Sequence, residues 1–226
     1  MSYTEQPAGV PEVVLWQRAP VDRPTRSRIL PDGCLDLLWD GRALLVAGPD
    51  PVARWHASPA GTGYLGLRFA AGTGPVALRV PADELTGQVV ELADLWPAAA
   101  VRRLADRIAD DPVAGLKRWS ATALGEAEVD PFGARVRALL AGGASVATLA
   151  DRLGLGARQL HRRSLITFGY GPRRLGRILR LNRALELARA GRPWAGVAAD
   201  CGYADQAHLS REVRALTGET PTELLD

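Results

Sequence analysis

The chain has 226 residues, 47% of them apolar and 23% charged, with a formal net charge of +3. That length holds one large domain or two of ordinary size, and the composition is that of a soluble globular protein. Two cysteines, Cys34 and Cys201, are too few for a disulfide framework, no apolar run approaches the ~18 residues of a membrane helix, and the N-terminus lacks the basic and apolar regions of a signal peptide, so a cytoplasmic protein is expected.

The charge is divided unevenly. Residues 1–130 carry 13 basic and 17 acidic side chains, a net −4; residues 131–226 carry 15 and 8, a net +7. A basic C-terminal module on a mildly acidic body points to a polyanion as partner of the second half.

Residues 1–12 are polar and Pro-containing and read as a mobile arm. From Val13 to about Val90, short apolar runs alternate with turn signals. The runs are VVLWQ (13–17), LDLLW (35–39), ALLVAG (43–48), YLGLRF (64–69) and VALRV (76–80). PDG, DGR, GPDP and PAGTG separate them, which reads as an antiparallel sheet, sandwich or small barrel. Helical periodicity follows at 97–109 and 112–124, and GEAEVDP at 125–131 reads as a linker. The fold class expected is α+β: a β-rich domain, small-barrel or sandwich-like with packed helices, over 1–124, then an all-α domain over 132–226.

Beyond Phe132 every segment reads as helix: 132–141, a Ser145-capped helix to Leu153, 157–168, a long helix 172–190, 194–201, 205–216 and a short one at 220–225. Within this half one small device occurs twice. SVATLADRLGLGARQLHRR (145–163) and WAGVAADCGYADQAHLSREV (194–213) each place a Gly four residues after an Ala, Ala150 to Gly154 and Ala198 to Gly202. Leu160 and Leu209 supply a later apolar anchor. The small Ala lets two helices cross closely, the Gly permits positive φ in a sharp turn, and the Leu pins the second helix onto the first, which is the pattern of a helix-turn-helix. The second turn is one residue longer. The helix between the copies, 19 residues and roughly 28 Å, nearly matches the ~34 Å between successive major-groove faces, so one chain can set two recognition helices in adjacent grooves.

Polar residues crowd the outward faces: Arg158, Gln159, His161, Arg162 and Arg163 in the first copy, Gln206, His208, Ser210, Arg211 and Arg214 in the second. Arg reads guanine and Gln reads adenine through paired hydrogen bonds. Arg173, Arg174, Arg177 and Arg180, around the start of the long helix, suit phosphate contact, as do Ser145, Arg163 and Arg214.

Residues 132–226, and above all GYADQAHLSREVRALTGETP, resemble the DNA-binding domain of the AraC-type (arabinose-regulator) transcription factors. The resemblance implies seven helices, double-stranded DNA as partner, and base contacts from Arg158, His161 and Arg162 and from Gln206, Ala207, His208, Ser210 and Arg211. Ala207 can offer only apolar contact. The sequence departs from the family pattern where Ser164 and Val213 replace aromatics. Leu165, Ile166 and Phe168 are candidates to refill the gap at Ser164, and the first unit is expected to be the one the N-terminal half can influence.

LPDGCLDLLWD, LLVAGPD, YLGLRF and VPADELTGQVVELADLW make residues 10–120 similar to the small N-terminal domain that accompanies this DNA-binding domain in one actinobacterial-like branch. By analogy that domain binds a small-molecule effector or mediates homodimerisation. Trp39, Trp55 and Tyr64, flanking turn-rich segments, are the candidate effector-pocket residues. No metal or cofactor is expected, since His56 is the single histidine of this half. Asp32, Asp36 and Asp40 recur every four residues without matching a calcium loop. The alternative to a regulator is a DNA-repair or alkyl-transfer protein with Cys34 as acceptor; Cys34 reads equally as a small buried strand residue.

Overall fold

The computed structural model describes residues 3–127 and 130–225. Residues 128 and 129 of the expected linker, and residues 1, 2 and 226, lie outside them. The N-terminal half is built on a six-stranded antiparallel sheet in the order β1-β2-β7-β4-β5-β8. Its strands are β1 (Tyr3–Pro7), β2 (Val13–Arg18), β7 (Tyr64–Phe69), β4 (Leu35–Trp39), β5 (Leu44–Ala47) and β8 (Val89–Glu91). A separate ribbon pairs β3 (Thr25–Ile29) with β6 (Arg54–Ser58). Four of the five expected runs are strands. Residues 76–80 are not: helix α1 (Gly74–Leu78) occupies them, because Pro75 fixes a helical φ in its first turn, and Arg79 in the left-handed region ends it. The expected mobile arm contains β1, paired along its length with β2 from Tyr3↔Arg18 to Pro7↔Val14.

Alternation sorts the sheet into two faces. Val13 and Leu15, Leu35, Leu37 and Trp39, Leu44 and Val46, and Leu65, Leu67 and Phe69 point one way and are buried. Helices α3 (Ala98–Asp110) and α4 (Pro112–Gly125), with α1, cover that face through Leu104, Ile108 and Leu116. Each such Leu or Phe withdrawn from water contributes roughly 1.5–3 kcal/mol. Trp96 donates from Nε1 to the Leu78 carbonyl at 2.9 Å, and Trp119 meets Phe69 edge-on. A 3-10 turn at Ala82–Glu84 and the short helix α2 (Leu92–Leu95) link α1, β8 and α3. The opposite face of the sheet, carrying Trp16, Arg18, Asp36, Leu38, Leu45 and Arg68, is left to line a cavity.

The C-terminal half comprises, among the described residues, six helices rather than seven. They are α5 (Phe132–Ala141), α6 (Val146–Leu153), α7 (Ala157–Phe168), α8 (Pro172–Arg189), α9 (Trp194–Asp200) and α10 (Gln206–Thr217). Residues 221–225 form turns. Thr220 and Glu223 exchange capping hydrogen bonds there, but so short a segment does not repay helix nucleation. The buried stripe of α8 runs Leu175, Ile178, Leu181, Ala184, Leu185 and Ala188, and α5, α7, α9 and α10 pack around it.

The two halves share contacts. Ala71 of the N-terminal half belongs to the helical core. Arg137 of α5 donates to the Ala71 carbonyl and pairs with Glu12. Thr86 Oγ1 bridges the carbonyls of Ala82 and Gly169, each at 3.0 Å. Gly169 ends α7 at φ +78°, and a Cβ there would come within 2.2 Å of Thr86 Oγ1 and 2.9 Å of Pro49, so only glycine makes this junction. The contact is not confined to the first unit: Ala53 N donates to Leu216 O of α10 at 2.8 Å, and Arg28 pairs with Glu219 just beyond it. The N-terminal half therefore touches both units, and these contacts do not single out the first as the one it can influence.

Candidate nucleic-acid interface and interdomain cavity

Both copies of the repeated device close in the same way. Leu155 N donates to Ala150 O at 3.0 Å, and Tyr203 N donates to Ala198 O at 2.9 Å. The intervening glycines, Gly154 and Gly202, have φ of 64° and 69°. Leu149 and Leu160 lock the first pair, Val197 and Leu209 the second, all fully buried. Ser145 Oγ accepts from Thr148 N at 3.0 Å at the start of α6, and Asp205 accepts from His208 N at 2.6 Å at the start of α10. The sequence difference between the turns becomes three residues between α6 and α7 against five between α9 and α10.

On α7, Leu160, Ser164 and Phe168 face inward, leaving Arg158, His161 and Arg162 exposed on the opposite side. The His161 ring lies against Gly171, where a Cβ would approach it to 2.9 Å. On α10, Leu209, Val213 and Leu216 are buried, and Gln206, Ala207 and Arg211 are exposed. Two expected readers are partly committed elsewhere. His208 Nδ1 accepts from Ala204 N at 3.3 Å while its ring stands edge-on to Tyr203. Ser210 Oγ donates to Gln206 O at 2.9 Å.

The expected phosphate residues divide more sharply. Arg173 and Arg214 are exposed, and among the described residues no carboxylate lies within ion-pair distance of either. The others are engaged. Arg174 Nη1 donates to Pro51 O at 2.9 Å, Arg177 pairs with Glu212 at 2.7 Å, and Arg163 pairs with Asp130 at 2.6 Å while its guanidinium lies 4.2 Å over the Phe132 ring. Arg180 lies 5.2 Å over the Tyr203 ring. Sequence spacing could not show this, because the partners come from other helices and from the N-terminal half. Of the candidates to fill the space at Ser164, Phe168 packs on Phe132 with ring centroids 6.2 Å apart, whereas Ile166 is exposed. Ser164 itself is fully buried with no hydrogen-bond partner for Oγ among the described residues.

The second feature is a cavity of about 810 Å³. One wall is the sheet face opposite the core, a second is the β3–β6 ribbon through Ser27, Ile29 and His56, and a third is α8 through Asn182, Leu185, Glu186 and Arg189. Of the three expected pocket residues only Tyr64 lines it. Trp39 alternates onto the core face with Leu35 and Leu37. Trp55 lies on the outer side of its ribbon, 51% exposed, with Arg26 and Arg28 at 4.8 and 5.5 Å from its ring. Their strand neighbours Leu38, Arg54 and His56 line the cavity instead, a period-two consequence that flanking turns do not reveal. Asp36 Oδ1 accepts from Trp16 Nε1 at 2.8 Å and from Arg68 Nε at 3.2 Å, yet burial pushes its carboxyl up to about 6. Burial, with Asp32 and Asp36 beside it, drives the Cys34 thiol well above its ordinary range. A nucleophilic acceptor needs a thiolate, so this environment works against the alkyl-transfer alternative. Among the described residues no three His, Cys, Asp or Glu gather as a metal site, and no helix is long and apolar enough to cross a membrane.

Two helix-turn-helix units joined by a rigid helix, with a basic outer surface, define a DNA-binding regulator. Residues 149–226 match the model of a helix-turn-helix domain, and residues 12–91 match a domain of unknown function (DUF6597). The protein therefore joins an AraC-type DNA-binding domain to a DUF6597 domain. No curated protein matches the chain. Among solved structures it is similar to ToxT from Vibrio cholerae O395, at 10% identity over 94% of this chain and 92% of that one, with a TM-score of 0.46. ToxT bound to (E)-4-(8-methylnaphthalen-1-yl)but-3-enoic acid gives 11%, 100%, 98% and 0.48. A probable AraC family transcriptional regulator from Rhodopseudomonas palustris CGA009 matches at 22% identity over 42% of this chain and 95% of that one, with a TM-score of 0.37.

Proposed function

We propose that this protein is a one-component transcriptional regulator whose DNA affinity is set by a small molecule held between its two halves. The observation that carries the reading is the position of α8. One side of that helix holds the two helix-turn-helix units in register, and Asn182, Leu185, Glu186 and Arg189 close the cavity. A ligand that pushes on or draws in this wall favours one placement of α8 and so one spacing of the recognition helices; it shifts the equilibrium by its differential affinity for the two placements. Arg158, His161 and Arg162, and Gln206, Ala207 and Arg211, are proposed to read bases. His208 and Ser210 contribute through the atoms their internal bonds leave free. Arg173 and Arg214 are proposed to hold phosphates, as is Ser145 at the start of α6. Arg163, Arg174 and Arg177 act first as internal struts.

The test uses the full chain. Selection from random duplexes defines an operator, and a ligand screen by thermal shift is run beside Leu38→Trp, which puts an indole into the cavity against its apolar wall. A compound that stabilises the natural protein but not Leu38→Trp, and that changes operator affinity in the natural protein alone, supports the reading. Cavity ligands that leave operator affinity unchanged refute it.

A further inference from the structure

The polar lining of the cavity is not electrically balanced. Each of the most buried acids has a cation. Asp50 receives two bonds from Arg54 Nε, at 2.9 and 2.7 Å, and Asp36 and Asp32 share Arg68. Arg18 has no such counterpart. Among the described residues no carboxylate lies within ion-pair distance of it. Its Nη2 donates to the Ser58 hydroxyl, its guanidinium stands 4.9 Å over the Tyr64 ring, and its Nε is buried without a partner. Thr25 Oγ1, on the residue paired across the ribbon with Ser58, is also buried without a partner. His56, on the same strand as Ser58, sits edge-on to Tyr64, with ring centroids 5.8 Å apart. Burial, then Arg18 and Arg54, hold its imidazole below the ordinary histidine value. One end of the cavity thus presents an uncompensated guanidinium and a neutral imidazole under positive potential. Leu38, Leu45, Ile29 and Leu185 supply apolar surface elsewhere in the lining.

We propose that the cavity takes an organic anion with an apolar body, its charged end on Arg18 and His56 and its body against Leu38, Leu45 and Leu185. The proposal rests on the effector reading above and gives that effector a chemical class. A carboxylate or sulfonate fits the guanidinium as a charge-assisted acceptor, whereas an ammonium would be repelled and a neutral molecule would leave Arg18 unsatisfied. Binding carries a proton with it. The titratable and charged groups that line the cavity with His56 are Arg18 from β2, Arg28 from β3, Asp32, Cys34 and Asp36 at and before β4, Asp50 and Arg54 around its own strand, Tyr64 and Arg68 from β7, Tyr3 from β1, and Glu186 and Arg189 from α8. An added negative charge beside His56 favours its imidazolium, so the ligand binds more tightly as pH falls from 8 to 6.

The experiment uses the full-length protein and two fluorescent probes of the same shape, 8-anilinonaphthalene-1-sulfonate and uncharged N-phenyl-1-naphthylamine. The sulfonate is expected to bind at least about tenfold more tightly than the neutral dye. Arg18→Gln removes that preference while keeping the neutral-dye affinity, and Arg18→Lys retains it. His56→Gln reduces the pH dependence, and His56→Gln combined with Asp36→Asn, which removes the carboxyl that titrates near 6 in the same lining, flattens it. Equal affinity for the two dyes, an unchanged preference in Arg18→Gln, or loss of preference in Arg18→Lys overturns the proposal. Operator affinity measured with each dye separates this from the effector reading. Charge-selective uptake without a change in DNA affinity keeps the anion site and rejects the effector role; charge-indifferent uptake that alters DNA affinity does the reverse.

Discussion

Ser164→Ala is expected to stabilise the protein. Ser164 lies on the inner face of α7, fully buried, with Oγ unpartnered among the described residues. A buried hydroxyl without a partner costs about 1–3 kcal/mol, and alanine exceeds serine in helix propensity by a few tenths to about half a kcal/mol. Against this stands the lost packing of one oxygen atom, at about 0.1–0.2 kcal/mol per contact. The net gain is about 1–2 kcal/mol, which for a chain of this size raises the melting temperature by about 2–8 °C. Urea and thermal unfolding followed by far-ultraviolet circular dichroism measure it. Operator affinity should not change, because the side chain points away from Arg158 and Arg162. A Ser164→Ala protein less stable by about 1 kcal/mol or more would show that Oγ is bonded in the native state, and the argument from an unpaired hydroxyl would fail. Ser164→Thr supplies the opposite sign: the extra methyl has to enter a filled core, and destabilisation is expected.

Arg162→Ala and Arg211→Ala should each weaken operator binding by about 1–3 kcal/mol and relax sequence preference at their positions, read by footprinting on wild-type and substituted operators. Arg173→Ala should weaken all sequences alike and reduce the salt slope of binding by about 0.9, measured by fluorescence anisotropy over a salt series. Arg174→Ala, whose guanidinium is tied to Pro51 O, should affect the salt slope less than Arg173→Ala. Asp36 gives a pH signature. Its folded-state pKa, near 6, lies above the unfolded carboxylate value, so the folded protein holds the proton longer. Stability from this group is therefore fully present below about pH 4 and falls as pH rises to about 6. In Asp36→Asn that part of the pH slope, read as urea midpoints, should vanish.

The helical half was largely legible because its signals are local. The Ala–Gly spacing, the Ser145 and Asp205 caps and the 3.6-residue stripes each act within a few residues, and the structure repeats them almost position for position. The N-terminal half was legible only where strands are apolar. TRSRI and RWHAS alternate polar residues on both faces, so β3 and β6 offered no run to find, and YTEQP has five exposed residues held by a neighbouring strand. VALRV misled because Pro75 and its turn outweigh β propensity. The candidate site divides in the same way. The outward faces of α7 and α10 follow from periodicity, whereas the ties of Arg163, Arg174 and Arg177 depend on tertiary partners. Trp39 and Trp55 were misplaced by one step of strand alternation: the choice of face depends on which side the helices cover, and no segment of sequence states that by itself.

The third wall of the cavity has a consequence for modularity. Asn182, Leu185, Glu186 and Arg189 belong to the helical half of the chain, so the cavity is completed only when that half is in place. Severed after α4, the N-terminal half keeps its own apolar core but loses the panel that separates its concave face from water. On the proposed function, ligand choice and operator choice are written partly in the same eighteen-residue helix. A substitution on one side of α8 that tunes recognition of small molecules sits one turn away from residues that set the distance between the two DNA readers. Swapping sensors between such proteins therefore requires moving the cavity-facing side chains of α8 along with the sheet they face.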